Sequence, residues 1–160
     1  MALNPENQTS THKERASDDY LALDQQFCFA LYSASLAMTK TYKPLLDQLG
    51  LTYPQYLVML VLWQQDGILV KEIGEALFLD SGTLTPLLKR LEAAQLLQRQ
   101  RDPRDERQVR IALTEEGRKL KIAARAIPLQ ILCASGQDAR QLGELRQQLK
   151  QIRDDLHRHD

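Results

Sequence analysis

The feature that most restricts what this chain can fold into is the order of segments between Val70 and Leu113. Val70-Lys71-Glu72-Ile73-Gly74-Glu75-Ala76-Leu77 has the length and spacing of a short helix, and Phe78-Leu79 follows as an apolar link. Asp80-Ser81-Gly82-Thr83 supplies capping side chains for a second helix, whose Leu84, Leu87, Leu88 and Leu91 fall on one inward face. Two short helices joined by a tight turn, the second opening on small hydroxyl residues, make a helix-turn-helix. Leu97-Gln98-Arg99-Gln100-Arg101 then reads as a strand, and Val109-Arg110-Ile111-Ala112-Leu113 alternates as a half-buried strand does. The charged turn Asp102-Pro103-Arg104-Asp105-Glu106-Arg107 joins the two into a β-hairpin, the wing of a winged helix.

Helical patterns flank this centre. The first helix is expected to start near Ser17 or Asp18 and to end about Tyr42, because Pro44 disfavours helical geometry at the residue before it. Within it, Cys28 shares one face with Leu21, Leu31, Tyr32, Ser35, Met38 and Tyr42. Leu45, Leu46, Leu49 and Leu51 continue the apolar pattern, with Gly50 as punctuation. Thr52 and Pro54 open a helix over Gln55 to Gln64, with Leu57, Leu60, Val61 and Trp63 expected inward, and Asp66-Gly67 ends it. Thr114 caps a long helix running through Leu120, Ile122 and Ala126, interrupted near Pro128 and resuming through Ile131, Leu132 and Cys133. Beyond Gly136, Leu142, Leu145, Leu149, Ile152 and Leu156 mark a last helix.

The expected fold is therefore mainly α with a small β-hairpin wing. Residues 1–16 read as a flexible tail, 51–114 as a winged helix-turn-helix, and 17–50 with 115–160 as helical dimerisation regions. The terminal helices carry more apolar surface than so small a winged core covers, which points to a symmetric homodimer.

Composition removes several alternatives. No apolar run approaches the roughly 18 residues that cross a bilayer, and the first sixteen residues are too polar for a secretion signal, so the expected setting is cytoplasmic. Cys28 and Cys133 are far apart and neither belongs to a C-x-x-C pair, while His12, His157 and His159 sit near the ends, so neither metal nor cofactor is expected. In a reducing cytosol any disulfide between the two thiols is transient and regulatory. Zero formal net charge excludes a globally basic protein but leaves room for a local basic patch.

Such a patch lies between Lys89 and Arg110, where Lys89, Arg90, Arg99, Arg101, Arg104, Arg107 and Arg110 outnumber Glu92, Asp102, Asp105 and Glu106. Ser81, Thr83 and Thr85 are short enough to let a helix lie deep in the major groove, and Lys89 and Arg90 are placed for phosphates. Arg104 or Arg107 on the wing suits the narrow, electronegative minor groove. Solvation of exposed faces is the plainer account of these charges, yet it does not explain a charged wing directly after a helix-turn-helix. Pro86 removes a backbone hydrogen bond within the recognition helix, either bending it or shaping its face.

Asp105-Glu106-Arg107, followed by Val109 to Leu113 and Thr114-Glu115-Glu116-Gly117, resembles the D-x-R wing and L-T-x-x-G junction of the MarR family of winged-helix repressors. The resemblance spans about Ser17 to His157. Leu23 to Ala34 is similar to the sensor helix of the organic-hydroperoxide-responsive repressors within that family, and Leu79 to Leu91 resembles their recognition helix. The resemblance implies a DNA-binding surface containing Ser81, Thr83, Thr85, Pro86, Lys89, Arg90, Arg104, Asp105 and Arg107. It also implies that Cys28 is the peroxide-reactive thiol, hydrogen-bonded across the dimer by Tyr42 and Tyr53, and that Cys133 forms an intersubunit disulfide with it, as in the two-cysteine members.

Elementary chemistry sharpens what Cys28 requires. The reactive species is the thiolate, and a free cysteine with pKa about 8.5 supplies only a few per cent of it at neutral pH. Placed well past the first helical turn, and with no Lys or Arg within four residues, Cys28 is left with tyrosine hydroxyls to stabilise its anion. Phe27, Phe29 and Leu31 make an apolar surround that favours organic peroxides over hydrogen peroxide. Two other functions fit parts of the chain: a repressor controlled by a phenolic ligand with spectator cysteines, and a thiol peroxidase, which has no use for a basic wing. Spacing alone also permits both cysteines to be inert core residues. If the two thiols pair, Cys133→Ser abolishes the peroxide-induced interchain crosslink on a non-reducing gel; persistence of that crosslink rules the pairing out.

Overall fold

Which apolar side chains find a partner, and which do not, organises this structure. The computed structural model describes residues 20–158, and the chain divides into two compact units with the boundary between Lys40 and Thr41. The expected tail over 1–16 and helix start at Ser17 or Asp18 lie outside the described residues.

In the first unit a 3-10 turn, Leu23–Gln25, precedes helix α1, Phe27–Asp47, which continues across the unit boundary. Leu21 and Cys28 therefore do not share one helix, contrary to the sequence reading. Gln26 is extended (φ −81°, ψ 113°), and its side-chain amide donates to the carbonyl oxygens of Tyr20 and Ala22. Those acceptors are thereby withdrawn from a continuous helix, and α1 starts afresh at Phe27. Cys28 is consequently the second residue of α1, in its first turn rather than well past it.

Cys28 is exposed, as are Phe27, Phe29, Leu31, Tyr32, Leu36 and Met38, so among the described residues it is not an inert core position, and the apolar side chains around it are themselves uncovered. The other end of α1 also departs from expectation, since the helix passes through Pro44 to Asp47. An interior proline costs a helix about 3 kcal/mol. Complete burial of Leu46 and partial burial of Leu45 and Leu49 against the core return about 1.5–3 kcal/mol for each fully buried leucine, enough to carry the helix on.

The second unit holds the core. Helix α2, Tyr53–Gln64, begins where the Thr52 amide donates to Gln55 Oε1 at 2.8 Å. Its buried residues include Tyr56, Val58, Met59, Leu62 and Trp63, whereas Leu57, Leu60 and Val61, expected inward, are only half-buried. Nearly the whole circumference of α2 is covered, so no single apolar stripe marks its inner face. Strand β1, Ile68–Leu69, follows; at two residues it is too short to leave an alternating pattern in the sequence.

Helices α3, Val70–Leu77, and α4, Ser81–Ala93, form the helix-turn-helix, and both pack on α2. Phe78 makes the turn in the left-handed region (φ 56°), and the Leu79 amide closes it on Gly74 O at 2.9 Å. Strands β2, Leu97–Arg101, and β3, Val109–Leu113, stand where the sequence placed them. The sheet is antiparallel in the order β1-β3-β2, with Ile68 opposite Ile111 and Leu97 opposite Leu113.

Helix α5, Glu115–Ala124, is capped by the Thr114 hydroxyl accepting from Gly117 N. Helix α6, Ile127–Ser135, restarts with Pro128 in its first turn, where a missing N–H is harmless. Ala124, Ile127 and Ile131 are buried; Ile122 is 66% exposed, and Ala126 and Cys133 are exposed too. Helix α7, Ala139–His157, starts with reciprocal bonds between Asp138 and Gln141 and buries no residue completely. Its last turns reach the helix-turn-helix: His157 stacks on Phe78 with ring centroids 5.5 Å apart, and the Arg153 guanidinium lies 4.3 Å from the same ring.

Gly117 marks a close backbone approach, the tightest among the described glycines. A Cβ there meets Leu96 O at 2.0 Å, and Gly117 O accepts the indole N–H of buried Trp63 at 2.8 Å. Gly117→Ala is expected to destabilise the fold by about 1–3 kcal/mol, read from urea unfolding at fixed protein concentration. An unchanged midpoint contradicts the packing described.

Candidate DNA-binding surface and thiol region

Side-chain periodicity gives α4 two opposed faces. Leu84, Leu88 and Leu91 are buried, while Thr83, Pro86, Lys89 and Arg90 point outward together and Ser81 and Thr85 flank them. Asp80 fixes the start of the helix. Its carboxylate accepts from Thr83 N and Thr83 Oγ1, each at 2.9 Å, and the Thr83 amide is the main cause of its lowered pKa. Thr85 Oγ1 donates to Ser81 O at 2.6 Å. The helix runs on to Ala93 despite Pro86, which sits on the outward face.

The wing is held rigid from within. Asp102, only 4% exposed, accepts from the Arg104 amide at 2.8 Å and from Arg110 Nε at 3.0 Å, and these bonds, the amide first, lower its pKa. At the turn Asp105 accepts from Arg107 Nε (3.0 Å), Arg107 N (3.1 Å) and Gln108 Nε2 (3.2 Å), so its pKa is also low, chiefly through the Arg107 side chain. Arg107 itself remains 90% exposed and is aimed by that carboxylate. Glu92 engages Arg99 at 2.7 Å. Lys89, Arg90, Arg101 and Arg104 have no ion-pair partner among the described residues, so their charge is available to an outside anion. Between α3, α4 and the wing lies an open groove of about 1300 Å³, with Lys71, Ser81, Thr85, Arg99, Arg107 and Gln108 on its walls.

Of the residues read as thiol-activating, Tyr42 and Tyr53 are brought together, with ring centroids 4.8 Å apart. Tyr56 joins them at 5.9 Å from Tyr42 and passes the contact on to Trp63 at 6.2 Å. Burial, reinforced by the neighbouring phenols Tyr53 and Tyr56, pushes the Tyr42 pKa up to about 12, and burial raises Tyr53 and Tyr56 as well. All three are thus protonated hydrogen-bond donors at neutral pH. Tyr56 was missed in the sequence, although it lies one helical turn after Tyr53. Asp66, Asp102 and Arg110 were missed as site-shaping residues because nothing in their spacing shows what they face. Cys28 lies in the first unit and Cys133 near the end of α6 in the second; both thiols are free and exposed.

These features have counterparts among known proteins. Residues 40–123 match the family model described as transcriptional regulator SarA/Rot. The chain is 50% identical over 139 residues to the organic hydroperoxide resistance transcriptional regulator of Bacillus subtilis, a match covering 87% of this chain and 95% of that protein. Reduced AbfR bound to DNA, a protein of Staphylococcus epidermidis, has a similar structure, with a TM-score of 0.73 and 34% identity over 88% of this chain and 98% of that one. The disulfide form of AbfR matches with a TM-score of 0.60 and 36% identity, over 87% and 98% of the two chains. With helix-turn-helix, wing and flanking helices all in place, the chain belongs to the SarA/Rot family of MarR-type winged-helix transcriptional regulators, the group that includes organic hydroperoxide resistance regulators.

Proposed function

We propose that this regulator is a redox-sensing repressor. Reduced, it binds double-stranded operator DNA as a homodimer in the cytoplasm; oxidation of Cys28 by an organic hydroperoxide releases the DNA. The observation that carries this reading is the place of Cys28, exposed in the first turn of α1 among exposed apolar side chains. Free amides and the helix dipole favour an anion at that position, a stabiliser additional to the tyrosines inferred from sequence. Aromatic and aliphatic neighbours suit an oxidant with an organic tail. Half-identity to a regulator named for organic hydroperoxide resistance supports the same reading, as do the reduced DNA-bound and disulfide forms of AbfR.

On DNA, α4 lies in the major groove with Ser81, Thr83, Thr85 and Pro86 toward base edges and Lys89 and Arg90 toward phosphates. Arg104 and Arg107 of the wing enter the minor groove, with Asp105 orienting Arg107. The exposed apolar residues between Tyr20 and Met38 are covered by a second copy of the chain.

The same dimer completes the thiol site. The phenols that stabilise the Cys28 thiolate are Tyr42 and Tyr53 from across the dimer. The thiolate attacks the distal peroxide oxygen, giving a sulfenic acid and, after protonation, an alcohol. The thiol of Cys133 of the partner subunit then displaces water from the sulfenic sulfur, leaving an intersubunit disulfide. That bond requires Cα atoms about 6 Å apart, and drawing α6 toward it, between the Pro128 and Gly136 flanks, shifts the two winged units off half-site spacing.

Cys28→Ser is expected to bind DNA as tightly as the parent and to resist release by cumene hydroperoxide, followed by fluorescence anisotropy. Full release of that variant transfers control to a bound small ligand and defeats the redox reading. Tyr42→Phe/Tyr53→Phe is expected to slow Cys28 oxidation by about 10- to 100-fold, as loss of one or two hydrogen bonds to a charged group implies. Rapid-mixing measurement of sulfenic acid formation checks this, and an unchanged rate removes the tyrosines from the mechanism.

A further inference from the structure

Where the wing joins the body of the second unit, a set of polar ties converges on the last turn of α2 and the Asp66-Gly67 turn after it. Asp66 Oδ1 accepts the Leu113 amide at 2.7 Å and the Gly67 amide at 2.8 Å, while Oδ2 accepts Arg118 Nη2 at 2.8 Å. Arg110, the second residue of β3, spans the joint: its Nη1 donates to Gly67 O, and its Nε and Nη2 donate to Asp102 Oδ2 at 3.0 and 2.5 Å. Asp102 is buried at the start of the wing turn and closes that turn, its amide donating to Gln108 O at 2.9 Å. From the other side Lys121 Nζ donates to Trp63 O, and Trp63 Nε1 to Gly117 O, both at 2.8 Å.

We propose that Arg110 and Asp66 are positioning residues for DNA recognition: they fasten the wing to the end of α2, so that the reach of Arg107 follows the orientation of α2. Arg110 binds one group on each side of the joint, a carbonyl of the α2–β1 turn and a carboxylate of the wing turn. An arginine does this because its guanidinium presents donors in a rigid fork, which a lysine lacks. Asp66 sets the register of β3 against the same turn. At its opposite end α2 carries Tyr53 and Tyr56, so one rigid helix links the tyrosine cluster to the wing.

This inference rests on the reading of the wing as a minor-groove reader, and a double-mutant cycle separates the two. Binding is measured with the reduced protein and a duplex that the wild-type protein selects from a random-sequence library. Arg107→Ala is expected to weaken binding about tenfold in the wild-type background and less than twofold in the Arg110→Met background. Hydroxyl-radical protection of the outermost minor-groove segments is expected to vanish in Arg110→Met while the central major-groove contacts persist. Arg110→Lys restores only part of either signal. Should Arg110→Met fail to fold by circular dichroism, Asp102→Asn, which removes the wing-side carboxylate charge, carries the same cycle. An equal cost of Arg107→Ala in both backgrounds, or an unaltered footprint, overturns the positioning role while leaving the wing reading intact. No cost of Arg107→Ala even in the wild-type background overturns the wing reading and the positioning role together.

Discussion

The carboxylate of Asp66 is the point on which the winged unit depends. It stands in the turn just after α2, receives the Leu113 amide of β3 and holds Arg118 of α5, so one side chain joins that turn to a strand and a second helix. An amide left unpaired in such a place costs about 1–3 kcal/mol, a large fraction of the stability of an ordinary domain. Around it the indole of Trp63 and the amine of Lys121 tie α2 to α5, and Arg110 ties the wing to the same turn. The wing is therefore not a free hairpin. It is an extension of α2, held by bonds that fix its direction.

Burial is unevenly shared, and this bears on function. Around α2 the second unit encloses Val58, Met59, Leu62, Ile73, Leu88 and Ile111 almost completely. The described part of the first unit, by contrast, leaves large aromatic and aliphatic side chains uncovered along α1. Isolated exposed hydrophobes are ordinary, but a contiguous series of them marks an interface. In the proposed dimer that interface is also the sensor: the apolar face that needs a partner carries the thiol, and the phenols that favour the thiolate come from the other subunit. Assembly and sensing then become one requirement, because the phenol donors proposed for the thiolate come from the other subunit.

Much of this was legible in the sequence. The helix-turn-helix and both wing strands stand where the spacing put them, because Asp80 caps a regular leucine pattern and Val109 to Leu113 alternates cleanly. The resemblance singled out Tyr42 and Tyr53 as donors to Cys28, but the contact between their two rings was not legible in the sequence. Errors cluster where tertiary contacts outweigh local preference. Gln26 restarts a helix that the face shared by Leu21 and Cys28 had suggested was continuous, which moved Cys28 into the first turn. Burial of Leu46 carries α1 past Pro44, and α2 is covered on too many sides to show one stripe. Phe78, a bulky residue in the left-handed region, and the Arg110 bridge between Gly67 and Asp102 leave no periodic trace, since each depends on groups far away in the chain.

The central claim is that oxidation of Cys28 itself governs DNA release. It is tested most directly by titrating the reduced protein on a fluorescent duplex with cumene hydroperoxide, while mass spectrometry of the same samples quantifies oxidised Cys28. The account predicts that the fraction of DNA released rises in step with the fraction of Cys28 oxidised, from the first substoichiometric additions. Release with Cys28 still reduced, or full oxidation of Cys28 with the DNA still bound, contradicts it.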